Sequence, residues 1–286
     1  MTHRSKLKNR AVLLLLTFVL AACSNTQLIY TLADEFIEDE VAFFLNLDDE
    51  EDEAFLDAQV EELVAWHRTV MLPRYANYIG GLADKLEANQ YDRHDIAAAL
   101  EGGRELIEAT VTGLTPRAAK VLVRHMAPED IASMERKLTE RNDERREELS
   151  EPDEKRYEER LDRLTSNFER VFEDLYPDQV ALLEVHARAT LNDAQVRLNN
   201  RMMRQKVFLD FLKTNPSEGN LTGFLNQLLL RGHELVNPSY KAFSEASIAR
   251  FQTLLVNMLA ISSPDQRAQA VDSLRDYAKD FRDVAS

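Results

Sequence analysis

At 286 residues, with 35 Lys+Arg against 50 Asp+Glu, the chain carries a formal charge of −15, which argues against nucleic acid, whose binding rests on phosphate neutralisation. Only 8 glycines and 8 prolines occur, below the usual frequencies of about 7% and 5%; Ala, Leu, Glu and Arg are abundant, strand-like alternation is missing, and the composition predicts an all-α fold. A single cysteine excludes intramolecular disulfides, so stability must come from a core.

Residues 1–22 predict an export leader, with Arg4, Lys6, Lys8 and Arg10 before an apolar run from Ala11 to Leu20. That run is too short for a bilayer, which needs about 20 residues. The ending Leu20-Ala21-Ala22-Cys23 resembles the bacterial lipobox. The resemblance implies cleavage before Cys23, which then carries diacylglycerol on sulfur and a fatty acid such as palmitate on nitrogen. One acyl chain anchors marginally and two or three anchor firmly, at about 0.8 kcal/mol per buried methylene. Ser24, in place of the aspartate that such signals use for inner-membrane retention, points to the outer membrane, facing the periplasm. The alternative is an ordinary leader followed by a chance cysteine. Loss of four cations with the leader takes the formal charge from −15 to −19. A basic patch on anionic lipid is therefore not expected, and the membrane is engaged through lipidated Cys23.

Thr26 to Leu45 predicts a first amphipathic helix, its stripe set by Leu28, Ile29, Leu32, Phe36 and Phe43. Its acidic polar face would be repelled by anionic headgroups, which favours packing in the core over lying on the membrane. Asp48 to Glu53 has consecutive acids and no glycine, unlike a calcium loop; it suits a helix start, where the dipole favours negative charge. The helix runs to Trp66-His67-Arg68, and Pro73 ends or kinks it.

Trp66-His67-Arg68, Leu72-Pro73-Arg74-Tyr75-Ala76, Glu135-Arg136-Lys137-Leu138 and Asn142, with the lipobox before them, resemble an uncharacterised family of proteobacterial lipoproteins. The resemblance spans roughly residues 20–215. It implies an all-helical envelope lipoprotein and supplies no activity.

Further helices are predicted from Tyr75 to Ala88 and from Asp92 to near Gly113. Gly102-Gly103 inside the second marks either a break or a close helix crossing. Pro116, Pro128, Pro177 and Pro264 each predict a helix start, since proline lacks the N–H that is orphaned there. An acid or Gln at the third position can close a capping box. The layout Leu175-Tyr176-Pro177-Asp178-Gln179 also resembles, weakly, the Leu-Thr-x-x-Gln motif of small periplasmic stress chaperones of the Spy and CpxP kind; Leu175 to Gln179 lacks its threonine, and Leu114-Thr115 lacks its glutamine.

Ile131 to Leu149 predicts a charged helix and Pro152 opens the next; residues 141–160 read as a solvated hairpin tip or as an exposed arm for a partner. Asp178 to Lys213 predicts one long helix of about 50 Å. Its arginines are expected to pair with the acidic second helix. Met202, Met203, Phe208, Phe211 and Leu212 form either core or an adaptable binding face. Asn215 to Gly219 is the clearest linker, and three more helices follow to Asp283. The whole predicts a bundle-like domain of about nine helices after the cleaved leader, with the main domain over 23–214 and a C-terminal segment over 215–286 docked on it.

No zinc, di-iron, phosphate-loop or nucleophile-elbow spacing is present, so no cofactor or metal is expected and the chain is not read as an enzyme. The candidate cluster is Trp66, His67, Arg68, Arg74 and Tyr75. It is either a ligand or catalytic site, or core packing by Trp66 with Arg68 paired to acids of its own helix. The leading expectation is a binding or scaffolding protein for another envelope protein; the alternatives are a Spy-like or CpxP-like chaperone and an enzyme with a site around His67.

Overall fold

The computed structural model describes residues 33–45, 47 and 50–286. All regular elements among these are helical: α1 (Ala33–Phe44), α2 (Glu50–Trp66), α3 (Leu72–Glu87), α4 (Arg93–Leu122), α5 (Pro128–Leu149), α6 (Asp153–Phe172), α7 (Pro177–Ala189), α8 (Asp193–Leu212), α9 (Glu218–Val236), α10 (Ser239–Ile261) and α11 (Pro264–Ala285). A five-residue π-helical turn, His67–Met71, joins α2 to α3. With these two counted as one rod, ten helices build a bundle-like all-α fold. The leader, Cys23 and the beginning of the first predicted helix lie outside the described residues.

Helix starts follow local chemistry. Glu50, Glu51, Asp52 and Glu53 fill the first turn of α2, complementing its dipole. The Asp92 carboxylate accepts from the backbone N–H groups of His94 and Asp95 at 2.7 and 2.9 Å, and Asp95 accepts from Asp92 N–H. Pro128, Pro177 and Pro264 open α5, α7 and α11. At α11, Ser263 Oγ accepts from Gln266 N–H at 3.1 Å. Ser263→Ala is expected to cost about 1 kcal/mol, seen as a lower urea midpoint at unchanged slope.

Four sequence expectations are corrected. Pro116 does not start a helix but lies inside α4. The Thr112 carbonyl that it deprives of a partner accepts from the Thr115 hydroxyl at 3.4 Å, and the flanking apolar residues hold the helix in the core. The long helix predicted over 178–213 breaks between Ala189 and Asp193. There the Thr190 hydroxyl donates back to the His186 carbonyl and accepts from Arg160, and Asp193 pairs with Arg250 at 2.9 Å; polar side chains bonded to local backbone compete with the helix. The acids of α2 are met by α4, not by the arginines of α8: Arg124 pairs with Glu51 and Asp52, and Arg117 with Glu62. The 141–160 region is not a paired hairpin, because α5 packs on α8 and α1 while α6 packs on α7 and α11. Pro73 does not end its helix: α2 runs through the π turn into α3, and the wider turn before Pro73 accommodates a residue without an N–H.

Three apolar clusters hold the rods. The first gathers Leu56, Val60, Ala119, Ile131, Leu212 and Leu221 from α2, α4, α5, α8 and α9. The second joins Ala83 of α3 to Phe168, Leu183, Met258 and Val271 of α6, α7, α10 and α11. The third is the α3–α11 seam of Leu72, Ala76, Ile79, Tyr277, Ala278 and Phe281. Each fully buried large apolar side chain contributes about 1.5–3 kcal/mol. Helices on both sides of Asn215 to Gly219 therefore share all three clusters. The double glycine is a close approach: a Cβ at Gly102 would lie 2.9 Å from the Tyr78 ring.

Candidate functional site

At the π-helical turn the five singled-out residues divide into two sets. Trp66, His67 and Tyr75 come together, with ring centroids 6.2 Å apart from Trp66 to His67 and 5.5 Å from His67 to Tyr75; Phe281 follows at 6.1 Å. The Tyr75 hydroxyl is hydrogen-bonded to the Thr110 hydroxyl. Burial raises the Tyr75 phenol and lowers the His67 imidazole to about 4, so the imidazole is neutral at pH 7. Trp66 fills the space above Gly113, where a Cβ would sit 2.0 Å from the indole, and the Arg117 guanidinium covers its ring at 5.4 Å. Arg68 and Arg74 lie exposed, and neither forms a salt bridge among the described residues. Arg74 Nη1 instead approaches Met71 Sδ at 3.8 Å. The turn thus joins α2 and α3 to α4 and α11 through an aromatic stack holding one neutral imidazole.

The second place is a cavity. About 480 Å³ of apolar space lies among α1, α2, α4, α5, α8 and α9, inside the range of about 300–1,000 Å³ typical of small-molecule sites. Phe44, Val60, Val121, Leu138, Phe208 and Leu228 supply one wall residue from each helix. Four charged side chains also reach the wall: Glu40, Arg117, Arg201 and Arg204. Two of them are engaged. Glu40 is held by Arg141 at 3.3 Å, and Arg117 by Glu62 at 3.1 Å. Arg201 and Arg204 form no salt bridge among the described residues. Burial, and then the neighbouring Arg141, Arg145 and Arg204, pull Arg201 below its ordinary value, with Glu40 opposing them in part. The Arg204 stem crosses α9 over Gly232, where a Cβ would lie 2.6 Å from its Cδ. Its Nε is buried without a hydrogen-bond partner.

The 200–212 face divides between the two roles considered for it. Phe208 lines the cavity, whereas Leu212 is fully buried and Phe211 stacks on Phe224 at 4.0 Å. In the 141–160 region, Asn142 is buried and donates to Gln205 at 2.7 Å, while Arg141 covers Phe43 at 4.5 Å; the beginning of the supposed arm is interior. Sequence reasoning missed Arg201 and Arg204 as cavity residues. Their signal is the three-residue spacing beside Leu198, Met202 and Gln205, which puts two cations on an inward face.

Among the described residues no group of three or more His, Cys, Asp and Glu could hold a metal ion, and no helix is long and apolar enough to cross a membrane. Residues 44–241 match a family of unknown function, DUF6279. The match runs past Asn215 to Gly219 into the start of α10, beyond the span from which the sequence resemblance was drawn. No curated protein and no solved structure matches the chain.

Proposed function

Since the chain belongs to DUF6279, a family of unknown function, its role has to be read from its own surfaces, and we propose a lipid-anchored binding protein of the cell envelope. In this reading Cys23 holds it to the outer membrane, facing the periplasm, and the cavity among α1, α2, α4, α5, α8 and α9 takes an apolar ligand. The observation that carries the reading is the cavity itself: an apolar space of ligand size whose wall carries two arginines that form no salt bridge among the described residues. The anchor rests on the lipobox-like ending around the only cysteine. Ala33 lies ten residue steps after Cys23, so at most about 35 Å of extended chain lies between the lipid and α1. A cavity wall is thereby kept close to the membrane surface.

Two measurements test it. Cys23→Ala should move the protein out of the membrane fraction or leave it with its leader uncut; unchanged retention of a processed chain would overturn the anchor. A photo-crosslinking residue in place of Leu229, which lines the cavity yet is 46% exposed, should capture a small set of ligands or one envelope protein in cells. Silence at Leu229 would remove the cavity from the proposal, and a broad spread of unfolded envelope proteins would replace it with the chaperone reading.

A further inference from the structure

The charge on the cavity wall narrows the ligand. Apolar walls alone accept any greasy molecule, but two guanidinium groups on one helix face in a strongly acidic protein have a specific cost. Each repels the other, and both are partly removed from water, where an uncompensated charge is unfavourable. The local inventory does not balance them. Glu40 is the carboxylate on the wall; its charge favours Arg201, but Arg141 holds it at 3.3 Å, and Arg201 remains pulled down by burial and its cationic neighbours. Arg145 adds a further positive charge acting on Arg201. The protein has 50 carboxylates, and the pairs on α2 and α3 show how readily they meet arginines elsewhere. At this wall the described structure leaves two forks open.

We infer that the cavity binds a single-chain amphiphile with an anionic head, its acyl chain lying among the apolar wall residues and its head held by Arg201 and Arg204. This rests on the cavity being the binding site. Guanidinium matches carboxylate and phosphate oxygens in a planar, two-pronged geometry, and it is more weakly hydrated than ammonium, which suits a half-buried position. Gly232 belongs to the same device, because the Arg204 stem passes where any side chain on α9 would stand. A neutral head would leave both guanidinium groups as they are. A cationic head would add to the repulsion.

The test uses the full lipidated chain in nanodiscs of neutral phosphatidylcholine, photolabelled with a diazirine-bearing dodecanoate or with its methyl ester. The two probes share a chain and differ in head charge. Adducts are mapped by mass spectrometry. The acid should label α8 and α9 wall residues such as Phe208 and Leu228 about tenfold more than the ester does. Arg201→Gln with Arg204→Gln should bring acid labelling down to the ester level, with far-ultraviolet circular dichroism unchanged. The acid-to-ester ratio on the unmodified protein needs no variant, so a misfolded double variant cannot hide the answer. Equal wall labelling by acid and ester would overturn the head-group inference and leave the cavity as an apolar site. No wall labelling by either would overturn both. A lysophosphatidic acid competitor that displaces the acid, against a lysophosphatidylcholine that does not, would support the anionic head; displacement by both alike would count against it.

Discussion

Gln266→Leu should destabilise the fold by about 3 kcal/mol, the sum of a lost helix cap and a buried amide left without a partner. Gln179 and Gln266 occupy the third position of α7 and α11, and both are buried, at 0% and 6% exposure. Each amide oxygen accepts from the backbone N–H that begins its own helix, Tyr176 for one and Ser263 for the other, at 2.9 and 3.2 Å. The two amides also face each other: Gln266 Nε2 donates to Gln179 Oε1 at 2.9 Å, and Gln179 Nε2 to Gln266 Oε1 at 3.2 Å. Gln266 Nε2 further donates to the Asp174 carbonyl at 2.8 Å. One substitution therefore removes a cap, strips the Asp174 carbonyl and strands the Gln179 amine in a dry site. For a protein of this size the melting midpoint should fall by roughly 6–12 °C. The double variant with Gln179→Leu should lose less than the sum of the two single changes, because no amide is then left unpaired. Strict additivity in calorimetry would show that the amides are not coupled.

The largest pH effect should come from His67. Burial holds its imidazole near 4 in the folded protein, against 6.5 when unfolded. The unfolded chain therefore takes up the proton first. Above pH 6.5 both states are neutral and the residue adds no slope. As pH falls from 6.5 towards 4, stability drops by up to about 1.4 kcal/mol per unit, reaching about 3 kcal/mol in total and about 2 kcal/mol at pH 5. His67→Leu should flatten this part of the profile relative to the unsubstituted protein, read from urea midpoints at pH 7 and pH 5. Equal losses in both proteins would place the acid sensitivity elsewhere.

The helix class and most helix starts were legible because they are set locally. Proline at a first turn, Asp92 ahead of its own N–H groups and the acids at Glu50 to Glu53 act within four residues of themselves. What failed depended on partners distant in sequence. Pro116 reads as a start until Trp66, fifty residues earlier in the chain, is seen against Gly113 with α4 continuous beneath it. The break at Thr190 depends on Arg160 and Arg250 arriving from α6 and α10. The arginines of α8 look like partners for α2 in the sequence, but α4 reaches those acids first. The cavity draws its wall from six helices, so no local pattern announces it; Arg201 and Arg204 look like any pair of surface cations until their carboxylates are sought and not found. Of the stretch singled out by its motifs, Trp66, His67 and Tyr75 meet in one stack, whereas Arg68 and Arg74 share the stretch without sharing the stack.

The π turn also sets the phase of the long α2–α3 rod. Its ring closes from the His67 carbonyl to the Leu72 N–H, five residues on rather than four, so it contains one residue more than an α turn. The buried positions of α2, Leu56 and Val60, and those of α3, Leu72, Ala76, Ile79, Ala83 and Leu86, do not fall on one 3.6-residue repeat. Counted along the sequence they are out of step by about one residue, and the turn absorbs that residue. It acts as a shim: the upper half of the rod can face α4 and the lower half α11 without either giving up its apolar stripe. A chain one residue shorter between His67 and Met71 would keep both faces on an unbroken α-helix. One residue more or fewer anywhere else in the rod would turn the α3 stripe by about 100° away from α11.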